Sequence, residues 1–418
     1  MLIYYMNINI HGKQYNLENY NNHPGGKHIL KLCVDEPDCT ALFESYHAFC
    51  DMNKINDTMK KYEVNDSYDT LFKFDENGFY NVCKKRVRKY FGDKQTLRKE
   101  TKANFGWLFT SITSSILFCV TQYFMLYSDY FIIKIISALL SGFFSISLGF
   151  NLLHDGSHYA ICTNPNINIY LSKFIQIIYN WNFILWSYHH CIRHHQYTGS
   201  INYDPDLINT YPFFTKIKKT NKNTFNIKYF DLKFLLFHNI LPGSTLGQSL
   251  LYKFWTYKKK LWKMKIPDEY LNTYDYEFLF SLIFIIFHIY NNIFIFFIYV
   301  ISTNIFYFIG NSPDHDMFPT HIEIENMKED DRKNIDWGEI QVRSSGNFCN
   351  SYDLYTKFMG GINFQIEHHL FPTLSNHKLK SISNIVKQTC EEFNIPYNSI
   401  DEPYEVYKNV TKTYKKNL

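Results

Sequence analysis

No two of the nine cysteines stand in a C-x-x-C pair; Cys33, Cys39, Cys50, Cys83, Cys119, Cys162, Cys191, Cys349 and Cys390 are scattered along the chain. That speaks against a zinc ribbon or a disulfide framework, and the thiols read as reduced groups in a cytosol-like compartment. A large excess of one charge is missing too. Lys and Arg number 43 against 39 Asp and Glu, leaving +4 spread over both signs, so nothing points to nucleic acid. The first residues lack the charged leader, short apolar core and small-residue cleavage site of a signal peptide, and no cleaved leader is expected. What is plentiful is aromatic: 34 Tyr and 38 Phe on a background rich in Asn and Lys. The mean hydropathy of -0.27 suggests a soluble protein. That average conceals concentrated apolar runs of membrane-spanning length, and local windows decide. A chain of 418 residues is long enough for two domains.

Eight of the 17 histidines fall in three short groups. These are His154-Asp155-Gly156-Ser157-His158, His189-His190-Cys191-Ile192-Arg193-His194-His195, and Gln365-Ile366-Glu367-His368-His369. Neutral imidazole is the commonest protein ligand for transition metals. On a helix, residues three or four apart share a face, so His154 with His158, and His190 with His194, can converge on one ion. This favours His190 over His189, which sits five residues from His194 and off that face. Adjacent pairs such as His194/His195 and His368/His369 point about 100° apart and can reach two ions from one helix. The spacing therefore suggests two metals.

HDxxH, HxxxHH and QxxHH in this order resemble the three histidine boxes of membrane di-iron desaturases. The run Gly360-Gly361-Ile362-Asn363-Phe364-Gln365-Ile366-Glu367-His368-His369-Leu370-Phe371-Pro372 resembles the front-end fatty-acyl desaturases with a fused cytochrome b5. The resemblance implies a di-iron site held by His154, His158, His190, His194, His195, His368 and His369. It also implies a further histidine just beyond the last span, for which His315 is the candidate and His321 the rival. Gln365, an amide and a poorer ligand, is assigned with Asp155, Asp204, Asp206 and His189 to supporting the ligands or positioning substrate. Asp204-Pro205-Asp206 resembles the family's DPD motif, and Asp336-Trp337 with Gln341 its DWxxxQ stretch.

Residues 1–66 read as a small α+β unit. Ile8 to Tyr15 alternates around Gly12. His23-Pro24-Gly25-Gly26, with His47 24 residues beyond His23, resembles cytochrome b5, which implies that His23 and His47 bind haem b axially. His11 and His28 fall outside that pattern and read as surface residues. Residues 67–104 form a basic linker containing Lys84-Lys85-Arg86-Val87-Arg88-Lys89, which places it on the cytoplasmic side or against anionic headgroups. Residues 105–418 form the membrane desaturase domain, with spans expected near 105–127, 130–153, 274–290 and 293–311. Ile169 to Tyr188 and Phe234 to Leu251 read as interfacial, the Lys-rich stretches 214–233 and 253–265 as cytoplasmic, and His288 as a helix-packing polar group.

The expected architecture is thus a mainly α membrane protein. Four transmembrane helices carry a cytosolic helical cap with the di-iron site, and an α+β haem domain precedes them. The resemblance implies a front-end desaturase that uses O2 and electrons from a cytochrome b5 reductase or similar NAD(P)H-dependent donor on a lipid acyl chain. A multi-pass protein of the endoplasmic reticulum with both termini cytoplasmic is expected, and Lys415-Lys416 looks like a dilysine retrieval signal. Alternatives on the same scaffold are a sphingolipid long-chain-base desaturase or a lipid hydroxylase; a non-catalytic haem carrier is an alternative of another class.

Overall fold

The computed structural model describes residues 6–34, 36–92, 97–179, 183–207, 260–261, 264–265 and 276–416. The expectations for 214–233 and 234–251 lie outside these residues. The N-terminal unit has a three-stranded antiparallel sheet, β1 (Asn7–Ile10), β2 (Lys13–Asn16) and β3 (Glu63–Ser67), in that order. β1 and β2 turn through His11 and Gly12, both at positive φ, the geometry of a tight hairpin. Helices α1 (Lys27–Leu32), α2 (Thr40–Tyr46) and α3 (Met52–Met59) fill the interval between β2 and β3. Asp51 caps α3 by accepting from the amides of Asn53 and Lys54.

α4 (Phe79–Phe91) carries the basic run expected to face solvent or headgroups. Instead it joins three parts of the protein. Phe79, Tyr80, Cys83 and Val87 are buried at helical spacing. Of its cations, Lys84 pairs with Glu44 of the N-terminal unit, Arg88 donates to the carbonyls of Ala48 and Cys50, and Arg86 forks onto Glu392.

Three helices are long and apolar enough to cross a membrane among the described residues, and the chain is a membrane protein. α5 (Phe105–Tyr127) and α6 (Phe131–Leu148) form a hairpin. Their faces are inside out relative to a soluble bundle. Phe105, Leu108, Phe109, Ile112 and Ile116 are exposed, while Thr110, Ser111, Ser114 and Gln122 are buried between helices. Small and polar residues let helices approach and hydrogen-bond where lipid already solvates the apolar side chains. Ser114 meets Ser147 at 2.8 Å, and the amide of Gln122 donates to Ser141 at 2.6 Å. His288 completes this network, with Nε2 2.7 Å from Gln122 Oε1.

α8, numbered after the helix α7 described below, spans Tyr276–Asp316 and contains one non-helical residue, Asn292. Here the chain reverses. The ring centroids of Phe284 and Tyr299 lie 6.4 Å apart, whereas fifteen residues of straight helix would separate them by roughly 22 Å. Asn292 Oδ1 accepts from the amide of Ile295 and starts the second arm. Phe131 stacks on Phe294, so the tips of the two hairpins lie together, at the ends remote from the histidine groups. The second arm runs on through Pro313 to Asp316, beyond the expected limit at 311.

α6 continues as a π-helical turn, Gly149–His154. A π turn leaves backbone groups without their usual i→i+4 partners, and Ser172 donates to the carbonyl of Leu153 at 3.1 Å. Ser172 belongs to α7 (Pro165–Tyr179), whose Asn168, Ser172 and Ile175 are buried while Ile167, Tyr170 and Phe174 are exposed. The C-terminal part adds α9 (Phe318–Asn326), α10 (Trp337–Arg343), α11 (Gln365–Leu370), α12 (Asn376–Glu392) and α13 (Pro403–Lys416). Gly360 and Gly361 both have φ near +60°, and a Cβ on Gly360 would lie 2.5 Å from Phe150 Cβ. Only glycine lets this turn press the third histidine group against the end of α6.

Candidate metal centre

The three groups converge although they lie on separate helices. His154 ends the π turn of α6. His190 and His194 sit on a second π-helical turn, Ser187–His194, and His195 follows it directly. His368 and His369 end α11. Donor atoms of His154, His158, His190 and His368 lie within 4.8 Å of one another, and those of His194, His315 and His369 form a second such group. His195 adjoins the first, its Nε2 3.3 Å from that of His190 and 3.1 Å from that of His368.

The pairs His194/His195 and His368/His369 are each divided between the two groups, in keeping with the 100° offset. The expected sharing of one ion by His190 and His194 is corrected. Their rings stack at 5.4 Å but serve different groups, and His190 instead meets His195. The cause is the π turn, which brings residues five apart, rather than four, over one another.

The hydrogen bonds at the outer nitrogens test whether these residues fit metal ions. His194 Nδ1 donates to Asp204 at 3.0 Å, His315 Nδ1 to the carbonyl of Ser344 at 2.6 Å, and His369 Nδ1 to Gln341 Oε1 at 2.9 Å. The Ser344 and Gln341 oxygens accept from His315 and His369, whose burial disfavours a second proton, so Nε2 of each of these two rings carries a lone pair. Nε2 of His194 lies 3.1 Å from Nε2 of His315. Imidazole nitrogens about 2.0–2.1 Å from a common ion stand roughly 3.0–3.4 Å apart, so this pair is spaced to share one. In the first group, Nε2 of His154 and His190 are 3.0 Å apart, and His158 Nε2 is buried with no hydrogen-bond partner among the described residues. Burial, with neighbouring imidazoles second, pushes His190, His195, His368 and His369 well below the usual histidine range. These four are thereby kept neutral, the form that binds metal.

The remaining expected residues divide. His315 enters the second group, whereas His321 pairs with Glu325 at 3.2 Å on α9. Asp206 lies 2.5 Å from His189 Nε2 and 3.4 Å from His194 Nδ1, so His189 faces the acidic loop and not the imidazole groups. Asp155 touches no histidine of the groups; it accepts from the amide of Asn376 and fixes the start of α12. Gln365 stands further in than its expected supporting place. Its amide nitrogen is 3.2 Å from His315 Nε2 and 3.1 Å from His369 Nε2, and its Oε1 is buried with no partner. Which end of an amide faces inward follows from its surroundings. Lone pairs on both rings leave either end able to approach an ion there.

Sequence reasoning gave no role to Gln341, Ser344, Thr198 or Tyr46. Thr198 donates to Gln341 Oε1, which also receives His369. Only the DWxxxQ resemblance pointed to Gln341. Tyr46 lies 2.8 Å from His158 Nδ1. In the N-terminal unit, the rings of His23 and His47 lie close together at nearly a right angle, with centroids 6.2 Å apart. Two imidazoles on opposite sides of one metal, with bonds about 2.0–2.1 Å long and ring centres ~1.1 Å further out, stand roughly 6.3 Å apart. His47 Nδ1 is held by the Phe43 carbonyl at 2.8 Å. Gly26, at φ 90°, permits the turn after His23.

A family model described as fatty acid desaturase matches residues 131–401. The chain is 29% identical over 413 residues to the acyl-lipid (8-3)-desaturase B of Dictyostelium discoideum, covering 94% of this chain and 86% of the relative. It is 26% identical over 421 residues to the Delta(5) fatty acid desaturase A of the same organism, with 94% and 86% covered. With the Delta(8)-fatty-acid desaturase 1 of Arabidopsis thaliana it shares 25% over 413 residues, again 94% and 86%. No solved structure matches.

Proposed function

The chain belongs to the fatty acid desaturase family, and from that premise we propose that it is a front-end desaturase with a fused haem domain. It is an oxygen-dependent desaturase, an oxidoreductase acting on lipid acyl chains at a membrane. In our reading it sets a cis double bond between an existing double bond and the carboxyl end of a polyunsaturated chain. We favour the Δ5 position, because two relatives carry that name and the HxxxHH spacing of the second box resembles Δ5- and Δ4-type members.

The observation that carries the reading is the convergence of imidazole nitrogens from separate helices into two groups, His154 with His158, His190 and His368, and His194 with His315 and His369. The histidine cluster fits a non-haem di-iron centre. We assign one iron to His154, His158, His190, His195 and His368, and the other to His194, His315 and His369 with Gln365 beside it. Iron and O2 supply the oxidising power against an unactivated C–H bond that no side-chain acid or base has. Asp204, Ser344 and Gln341 keep the lone pairs inward and the rings oriented. The apolar hairpins give the acyl chain its approach and exclude bulk water.

We assign haem b to His23 and His47. A haem held by these two imidazoles would suit electron relay rather than oxygen binding, and a cytochrome b5 reductase or similar NAD(P)H-dependent donor would feed it. Two hairpins make four crossings and return every histidine group to one face, which the flanking Lys/Arg stretches assign to the cytoplasm.

Gas chromatography of lipids from a host expressing the chain and fed a panel of polyunsaturated acids tests the reading. A new Δ5 double bond is expected. A hydroxylated chain or a desaturated sphingoid base as sole product would replace it with another chemistry on this scaffold.

A further inference from the structure

We infer that Tyr46 is the electron bridge between the N-terminal unit and the metal centre. The inference rests on the haem and di-iron reading above. Tyr46 ends α2, and the next residue is His47, one of the two imidazoles assigned to haem. Its hydroxyl lies 2.8 Å from Nδ1 of His158, whose Nε2 faces the first imidazole group. The neighbouring Tyr159 donates to the carbonyl of Gly25, two residues beyond His23. The last two residues of this segment thus touch both haem-ligand loops.

The docking is held firmly. Glu36, its side chain fully covered, pairs with Arg193 of the second box at 2.7 Å, and Arg88 grips the Ala48 carbonyl immediately after His47. Electronic coupling falls off less steeply along bonds and hydrogen bonds than across van der Waals gaps. The ring of His47, the 46–47 peptide, the Tyr46 ring and hydroxyl, and the ring of His158 make one unbroken path. Each passage moves one electron: ferrous haem becomes ferric, and the iron centre gains that electron. Two passages, with two protons from solvent and the two hydrogens of the acyl chain, reduce one O2 to two waters. The NAD(P)H-dependent reductase restores ferrous haem. Tyr46 itself ends unchanged.

The test uses the full chain, loaded with haem and iron, in lipid nanodiscs. Its haem is reduced beforehand and mixed with oxygenated buffer and a polyunsaturated acyl lipid while haem absorbance is followed. Tyr46→Phe keeps the ring and removes the hydroxyl. It should slow haem reoxidation at least about tenfold, towards the rate of His368→Ala, with haem spectrum and iron content per chain unchanged. A rate within about twofold of the unsubstituted protein overturns the inference. So does slowing matched by loss of iron, since Tyr46 would then only hold His158. If the unsubstituted protein binds no haem or no iron, the functional reading fails and takes this inference with it. An unchanged rate in the fully loaded protein overturns this inference alone.

Discussion

The two imidazole sites are built in opposite ways. His23 and His47 lie 24 residues apart in one small unit, held by a glycine turn and one backbone carbonyl. The metal centre draws on residues from His154 to His369, two π-helical turns, the end of a helical hairpin and a glycine pair. The first site needs a local loop geometry; the second needs the whole fold. Damage should therefore be separable. Replacing His368 by Ala removes a nitrogen shared with His154, His158 and His190, and product should fall to background while haem absorbance stays intact. His47→Ala should erase the haem spectrum and leave the non-haem iron in place. Lipid analysis with metal counting on both variants checks this, and haem lost from His368→Ala would mean that the sites are not independent.

A smaller effect is expected one layer out from the metal centre. Gln341 Oε1 takes the Nδ1–H of His369, and Leu at that position keeps the bulk but removes that acceptor. Loss of a hydrogen bond that orients a metal-binding imidazole typically costs about 10–100-fold in metal affinity. Chelator competition for iron should show a drop of that order in Gln341→Leu, with the haem domain unaffected.

What could be read from the sequence follows the same division. Adjacent histidines diverge on any helix, so the splitting of His368 from His369 needed no structure. The spans expected near 274–290 and 293–311 leave Asn291 and Asn292 between them, and Asn292 is the non-helical residue of α8. The partition of His190 and His194 was not legible, because nothing in Ser187–His194 announces a π turn. His315, preferred to His321 from the resemblance, reaches the site because the helix runs past Pro313 to Asp316, a length the sequence did not announce. Tyr46, Ser344 and the partners of α4 act across long sequence separations, and such contacts leave no periodic trace. The run from Lys84 to Lys89 illustrates this: its composition suggested headgroups, whereas three of its cations bind protein groups.

The seam between the two regions offers the mildest test. Glu44 of the N-terminal unit lies 2.8 Å from His11 Nε2 and 2.5 Å from Lys84 Nζ on α4. Burial alone would raise its carboxyl, but His11 and Lys84 outweigh burial and hold it at about 2, below the ordinary 4.5. A depressed folded-state value means that the ionised carboxylate stabilises the fold above the unfolded value. That contribution is lost as the pH falls from 4.5 towards 2. Glu44→Gln keeps the shape and removes the charge. It should cost about 1–2 kcal/mol at pH 7, discounted from the full shift because His11 is half open to solvent. The difference from the unsubstituted protein should shrink through that acid window and vanish near its lower end. Urea midpoints read from haem absorbance at stepped pH measure it. A deficit that stayed constant with pH would show that Glu44 joins the two regions by packing, with no net contribution from its charge.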